Sequence, residues 1–275
     1  MKLKILSAAA LAALLYALTV LIPLQFYKPD EPPPFLENIS IPEATTDFTL
    51  YDQATGETFS LPPERLLPNA IACEMDPNSP PEALKAQAVA CYSWFCYQKE
   101  HRKEIVCDSE AFLVWTTDEK LQELWGDSFP AHYAALQACA EAVAGELLTV
   151  DGRPMEAEYF ALSAGATLDG IASPWDQFAD GYLSYVSPEA ELEILSRKNG
   201  YVEKAIYDGQ KMTGEELREK LGLRSAAFFA EDAGLTVRGW GHGRGMSQTG
   251  AQWMAKQGFS YREILEHYYP LAELS

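Results

Sequence analysis

LPPERLLPNAIACEMDPNSPPEALKAQAVACYSW, residues 61–94, decides how this chain folds. Leu66, Leu67, Ala70, Ile71 and Cys73 form an apolar run that closes on Glu74, and Met75-Asp76-Pro77 follows. A residue before proline is pushed out of the helical region, so the first helix is expected to finish at about Asp76. A second helix is expected to open directly afterwards, with Ser79 as its cap, Pro80 in its first position and Glu82 three residues after the cap. Glu74 then lies at the closing end of a helix, at the mouth of a tight corner. Carbonyl groups gathered there disfavour an anion, and apolar neighbours add desolvation. Both effects keep a carboxyl protonated, as a general acid requires. An ordinary surface glutamate is the competing view, and local physics leaves both open.

Working outward, Leu84, Ala88, Cys91 and Phe95 recur at helical spacing, as do Ala83, Ala86, Ala90 and Trp94. The second helix should therefore run from Pro80 to about Glu100 as a central, buried element. Upstream, Phe48, Leu50, Phe59 and Leu61 alternate about Gln53–Gly56, a β-hairpin pattern. Downstream, Thr117 should cap a short helix through Trp125, and Ala131–Ala144 should form a small-residue helix stopped by Gly145. Glu146–Val150 and Met155–Ala161 alternate about Asp151-Gly152, which predicts a second hairpin. Residues 189–211 are weakly patterned and expected at the periphery. Thr213–Glu216 is a capping box for a helix to about Leu221, and Leu223-Arg224-Ser225 leads into the last sheet segment. Ser260–Glu263 caps a final helix ending near Tyr269-Pro270. The fold class is mixed α+β: central small-residue helices packed on antiparallel β-sheet and hairpins, behind an N-terminal transmembrane helix.

At the N-terminus, Lys2 and Lys4 precede Ile5–Leu24, twenty residues without a charge, long enough to span a bilayer as a helix. The run exceeds the apolar core of a cleavable signal and lacks a small-residue cut site, so it is read as a signal-anchor with the rest of the chain outside the cell. A cleaved signal is the alternative. Lys28–Glu43 holds five prolines and should act as a semi-rigid spacer. The expected organisation is residues 1–27 as anchor, 28–44 as linker and 45–275 as one functional domain. With 40 acidic against 21 basic residues, the formal charge is −19, which argues against nucleic acid or anionic lipid head groups as the main ligand. The five cysteines show no C-x-x-C pair, and no disulfide framework is readable.

Gly239, Gly241, Gly243 and Gly245 alternate with Trp240, His242, Arg244 and Met246. No nucleotide motif has this spelling. Alternating glycines leave one side of an extended segment bare, open to close approach, while the other side carries an aromatic, an imidazole and a guanidinium. That combination suits a sugar-binding row. Ser247 should cap a helix through Gln257.

Two of these segments resemble the signature of the stage II sporulation protein D family, membrane-anchored lytic transglycosylases that cut bacterial cell-wall glycan strands. They are Glu74-Met75 with its proline and Pro81–Ala90 (PEALKAQAVA), and Gly239–Ala251 (GWGHGRGMSQTGA). Pro174-Trp175 and Tyr182–Pro188 also match, and the likeness runs from about Phe48 to Pro270. The resemblance implies Glu74 as the catalytic acid. The expected substrate-binding residues are Ser163, Arg224, His242, Gly243, Ser247 and Gln248. Three departures stand out. Tyr92 occupies a position where family members often carry arginine. Ala164 replaces the first glycine of a Ser-Gly-Gly-x-Thr segment, where Ser163 is either a sugar contact or a turn residue. Relatives that bind zinc use a histidine and two cysteines near a Cys-Asp pair; His101 and Cys107 match two of these, but residues 110–113 read Glu-Ala-Phe-Leu. Two ligands do not close a structural site, so no metal and no cofactor are expected, with Phe112 and Leu113 packing in its place.

Three hypotheses follow. In the first, Glu74 protonates the oxygen bridging N-acetylmuramate and N-acetylglucosamine, then accepts the proton of the muramate 6-hydroxyl as a 1,6-anhydro ring closes. A hydrolase would instead need a second carboxylate, and none stands out near these motifs. In the second, the chain is a non-catalytic, glycan-binding activator of a partner cell-wall amidase. In the third, Cys73 and His242 make a thiol enzyme. The resemblance further implies peptidoglycan strands freed of stem peptides as substrate, an amidase and other engulfment membrane proteins as partners, and the mother-cell engulfing membrane as location.

Overall fold

The computed structural model describes residues 47–188, 190–231 and 234–275 of the 275-residue chain. The expected signal-anchor and linker lie outside the described residues. Among the described residues, no helix is long and apolar enough to cross a membrane.

The first hairpin forms as expected, β1 (Phe48–Asp52) pairing antiparallel with β2 (Glu57–Leu61). The chain then enters α1 (Pro63–Glu74) and, after the proline corner, α2 (Pro81–His101). Alanines at 83, 86, 88 and 90 are buried on several faces of α2, and their small side chains let neighbours approach from every side. The helix accordingly lies at the centre of the main core, packed by α1, by later helices and by strands on both sides of the sequence. Its entry differs from expectation. Pro80, not Ser79, is the N-cap, no side chain caps it, and the Ser79 hydroxyl is buried without a partner. Two consecutive prolines lack N–H groups, which leaves fewer orphan donors to cap. Glu82 instead accepts from Lys85 Nζ at 2.7 Å and from the Tyr261 amide at 2.8 Å, tying the last helix of the chain to α2.

β3 (Ile105–Cys107) adds to β1 in parallel. The loop that follows is organised by buried Asp52, which accepts from Ala54 N, Thr55 Oγ1, Ser109 N and Ser109 Oγ at 2.7–3.2 Å. Burial works to raise its pKa, but these hydrogen bonds outweigh it and hold the carboxyl below the usual range. Of the two residues expected to pack here, Phe112 is half-buried, but Leu113 is 55% exposed, and paired backbone hydrogen bonds between Asp108 and Leu113 close the loop. His101 stacks on Tyr97 at the exposed end of α2, whereas Cys107 is buried in β3. All five cysteines are free.

Thr117 caps α3 (Asp118–Trp125), accepting from Lys120 N, and a 3-10 turn leads into α4 (Phe129–Ala142). β4 (Leu148–Val150) turns at Asp151-Gly152, both at positive φ, into β5 (Arg153–Pro154). The return arm is shorter than expected. β6 (Tyr159–Phe160) leaves the hairpin and pairs in parallel with β13 (Met246–Ser247), so two strand pairings are parallel in a fold expected to be antiparallel throughout.

Residues 189–211 are the largest departure from expectation. β7 (Leu183–Val186) is followed by β8 (Leu192–Lys198), β9 (Tyr201–Tyr207) and β10 (Gln210–Thr213), the last three forming an antiparallel sheet. Asn199-Gly200 and Asp208-Gly209 turn it with φ of +49°, +91°, +51° and +72°, the paired positive values of tight hairpins. The Thr213 capping box opens α5 (Gly214–Leu221), and β11 (Phe228–Glu231) and β12 (Gly234–Arg238) sheet with β7. Val202, Ala205, Leu217, Phe228, Leu235 and Val237 fill a second core between these layers. The chain ends through α6 (Gln248–Lys256), α7 (Tyr261–Tyr268) and β14 (Glu273–Leu274), which pairs with β4. The class is mixed α+β, with several small sheets in place of one antiparallel sheet.

Candidate active site

Glu74 is the final residue of α1, and Met75 at the cap is already extended, with its amide bonded to Ile71 O. The corner is finished by Asp76, whose carboxylate accepts from Asn78 N at 2.8 Å and Asn78 Nδ2 at 2.9 Å. Glu74 lines a cleft of about 400 Å³ together with Cys73, Asp76, Asn78, Leu124, Trp125 and His132. Its one hydrogen bond among the described residues comes from a neutral amide, Gln248 Nε2 to Oε2 at 3.3 Å. Burial raises the Glu74 pKa, and the Gln248 bond opposes that only in part. The carboxyl is thereby biased toward its protonated form.

Gln248 reaches Glu74 because of a knot that sequence reading missed. Buried Asp176, just after Pro174-Trp175, accepts from Ser247 Oγ at 2.6 Å and from Ser163 N at 2.9 Å. Ser247 also caps α6, accepting from Gly250 N. This fixes the first turn of α6, so Gln248 spans from Glu74 to Gln87 Oε1 at 3.4 Å on α2. Gln87 in turn donates to Cys91 Sγ, and Cys91 lies beside Tyr159 OH.

Of the expected substrate-binding residues, only Gln248 is hydrogen-bonded to Glu74. Ser163 and Ser247 are fully buried, their hydroxyls committed to Gly165 N and to Asp176, so neither presents a free hydroxyl to a sugar. The glycine row is also corrected. All four glycines have positive φ, and it is the protein's own segments that approach them. A Cβ at Gly243 would lie 2.6 Å from the Tyr201 ring, and one at Gly241 would lie 2.7 Å from Phe160. Gly243 is therefore a packing position. His242 Nδ1 accepts from Arg244 N at 3.1 Å, and its ring lies near Phe160. Burial, then the Arg244 charge, lower the pKa of His242, which favours its neutral form. Arg244 Nε donates to both Glu158 oxygens at 2.9 Å. Arg224 stays at the surface, stacked 4.8 Å from the centre of the exposed Trp240 ring. None of Ser163, Arg224, His242 and Gly243 lines the Glu74 cleft.

Tyr92, the departure on α2, contacts Phe48 edge-on and bonds Cys96, on the hairpin side of the helix. Cys73 is far from thiolate chemistry: burial and the Glu74 charge push its pKa well above the usual thiol range. That argues against the thiol-enzyme hypothesis, and His242 does not line the cleft that Cys73 shares with Glu74. Among the described residues, no group of three or more histidine, cysteine, aspartate or glutamate side chains could hold a metal ion.

A family model described as stage II sporulation protein (SpoIID) matches residues 51–149, which contain the Glu74 corner and all of α2. The stage II sporulation protein D of Bacillus amyloliquefaciens is 30% identical over 277 aligned residues, covering 86% of this chain and 80% of that protein. The chain belongs to the stage II sporulation protein D family. The protein of the same name from Bacillus subtilis (strain 168) is 28% identical, covering 82% of this chain and 78% of its own length. Family membership thus assigns the chain to sporulation.

Proposed function

We propose that this family member is a lytic transglycosylase acting on peptidoglycan glycan strands during engulfment, with Glu74 as its single acid and base. The observation that carries the proposal is the setting of Glu74: a helix C-terminus, a cleft, burial that favours the protonated form, and no cation among its hydrogen-bond partners. Protonated Glu74 gives its proton to the bridging oxygen as the bond to the N-acetylmuramate anomeric carbon breaks, and N-acetylglucosamine leaves with a new hydroxyl. The muramate 6-hydroxyl then attacks that carbon, its proton returns to Glu74, and the 1,6-anhydro ring closes. The proton count balances without water.

Asp76 supports a second reading, because it brings another carboxylate into the same cleft. Hydrolysis with Asp76 activating water would leave reducing muramate ends. The lytic route is preferred because the Asp76 carboxylate already holds the corner through two bonds from Asn78. Mass spectrometry of purified glycan strands after incubation with the protein should find anhydro-muramate ends. Reducing ends would select hydrolysis, and intact strands would select the amidase-activator hypothesis.

The proposed substrate is a strand already freed of stem peptides by a partner amidase, at the mother-cell engulfing membrane. Lys2, Lys4 and the uncharged Ile5–Leu24 run support an anchored protein with its domain outside the cell. The full-length protein should stay with membranes through a high-salt wash, and release as a shortened soluble form would replace the anchor by a cleaved signal.

A further inference from the structure

One residue of the Pro81–Ala90 segment is left without a role by the packing of α2. Gln87 is fully buried among alanines, where a carboxamide is costly unless its hydrogen bonds are made. Both of its ends are engaged. Nε2 donates to Cys91 Sγ at 3.2 Å, one helical turn further on, and Oε1 accepts from Gln248 Nε2 at 3.4 Å. The Cys91 thiol donates to Tyr159 OH at 3.4 Å, which leaves the sulfur as an acceptor for Gln87. Gln248 Nε2 has two hydrogens, and they are divided between Gln87 Oε1 and Glu74 Oε2.

These bonds run in one direction. A side-chain amide can turn over, exchanging its oxygen for its nitrogen with little change of shape. If Gln248 turned over alone, its oxygen would face the oxygens of both Gln87 and Glu74. If Gln87 turned over alone, two N–H groups would face each other. A turned Gln248 fits only a protonated Glu74 beside a turned Gln87, and that arrangement takes the Cys91 proton away from Tyr159. We propose that Gln87 is a positioning residue: it holds the Gln248 amide with its N–H toward Glu74, so that the carboxyl can carry negative charge once its proton has gone to the leaving oxygen. The role rests on Glu74 as acid and base. Between the two steps Glu74 is a carboxylate, and an N–H bond to an ionised oxygen is stronger than one to a neutral oxygen. No lysine or arginine lines the cleft, so the Gln248 N–H is the donor that meets this charge.

Titration of Glu74 by carboxyl-carbon NMR on the full-length protein tests this without requiring turnover, the signal being the one lost in Glu74→Gln. Losing a donor to the carboxylate raises its pKa. Gln87→Met is close in volume and has no amide, so it frees Gln248 to turn over. The Glu74 titration and the alkaline limb of the cleavage rate should both move up by about half a pH unit or more. Gln248→Met removes the donor itself and should move them at least as far. Because Gln87 acts through Gln248, the double variant should titrate like Gln248→Met alone. A purely structural Gln87 would lower the melting midpoint and leave the Glu74 titration at its parental position. That result in a folded Gln87→Met, or shifts that add in the double variant, would overturn the proposal. Should Gln87→Met fail to fold, Cys91→Ala removes the acceptor that orients Gln87 and should shift the titration in the same direction; an unshifted titration there would overturn the proposal too. Failure of Glu74 as the acid is a separate outcome, seen as retained turnover in Glu74→Gln, and it leaves the NMR comparison standing.

Discussion

Glu74→Gln should lower strand cleavage by at least ~10²-fold, the scale of lost general acid catalysis, while glycan binding persists. The substitution keeps the shape and still offers Gln248 an acceptor, so the bond recorded at 3.3 Å has a replacement. Two pH effects accompany it. The parent needs protonated Glu74, whose pKa burial has raised, so its rate should fall as pH climbs through that raised value. The stability linkage has the same sign. With the folded pKa above the unfolded one, the stability Glu74 contributes is fully present below the unfolded pKa and is lost as pH rises through the folded one. Glutamine has no charge to bury, so the variant should melt no lower than the parent at neutral and alkaline pH. Turnover within about threefold of the parent would remove Glu74 from the chemistry. A lower melting midpoint at alkaline pH would contradict the burial that favours the acid.

Gly245→Ala should cost more than about 3 kcal/mol of folding stability, among the larger effects of a point substitution. Gly245 has φ of +73°, a conformation that alone costs a non-glycine residue about 1–3 kcal/mol. Its Cβ would also collide with the Glu158 carbonyl, which already accepts from Met246 N and Tyr269 OH. Gly243→Ala, at φ of +85° and against the Tyr201 ring, should lose about 2 kcal/mol or more. In both variants the loss of cleavage should follow the loss of folded protein in denaturant titrations. A variant that melts like the parent but no longer binds glycan would return the row to the binding surface. Read from sequence, the alternating glycines suggested space for a sugar. Residues 158–163 and Tyr201 fill that space instead, and only the fold brings them there.

How legible the site was in the sequence depends on how far apart its parts lie. The proline corner is local: Asp76-Pro77 and the paired prolines at 80 and 81 set where α1 stops and α2 starts, so Glu74 was placed at a helix end from spelling alone. The caps at Thr117, Thr213, Ser247 and Ser260 are local too, each closing onto an amide three residues on. The turns Asn199-Gly200 and Asp208-Gly209 were present as spelling, although the strands between them show little apolar alternation. β8 has no fully buried side chain and β10 exposes most of its own, and of the three only β9 carries several buried apolar residues.

By itself, then, the sequence determined the helix that ends at Glu74, the small-residue helix at the centre of the core, and the family. Only the tertiary structure decided what surrounds Glu74. Gln248 reaches it across 174 residues of chain. Asp176 draws Ser163 and Ser247 inward, away from any ligand. Trp125 and His132 line the cleft from the end of α3 and the start of α4, on either side of a turn. Caps and corners are written in residues three or four apart, where backbone geometry forces the contact. Contacts between distant segments follow no local period and exist only once the core has closed.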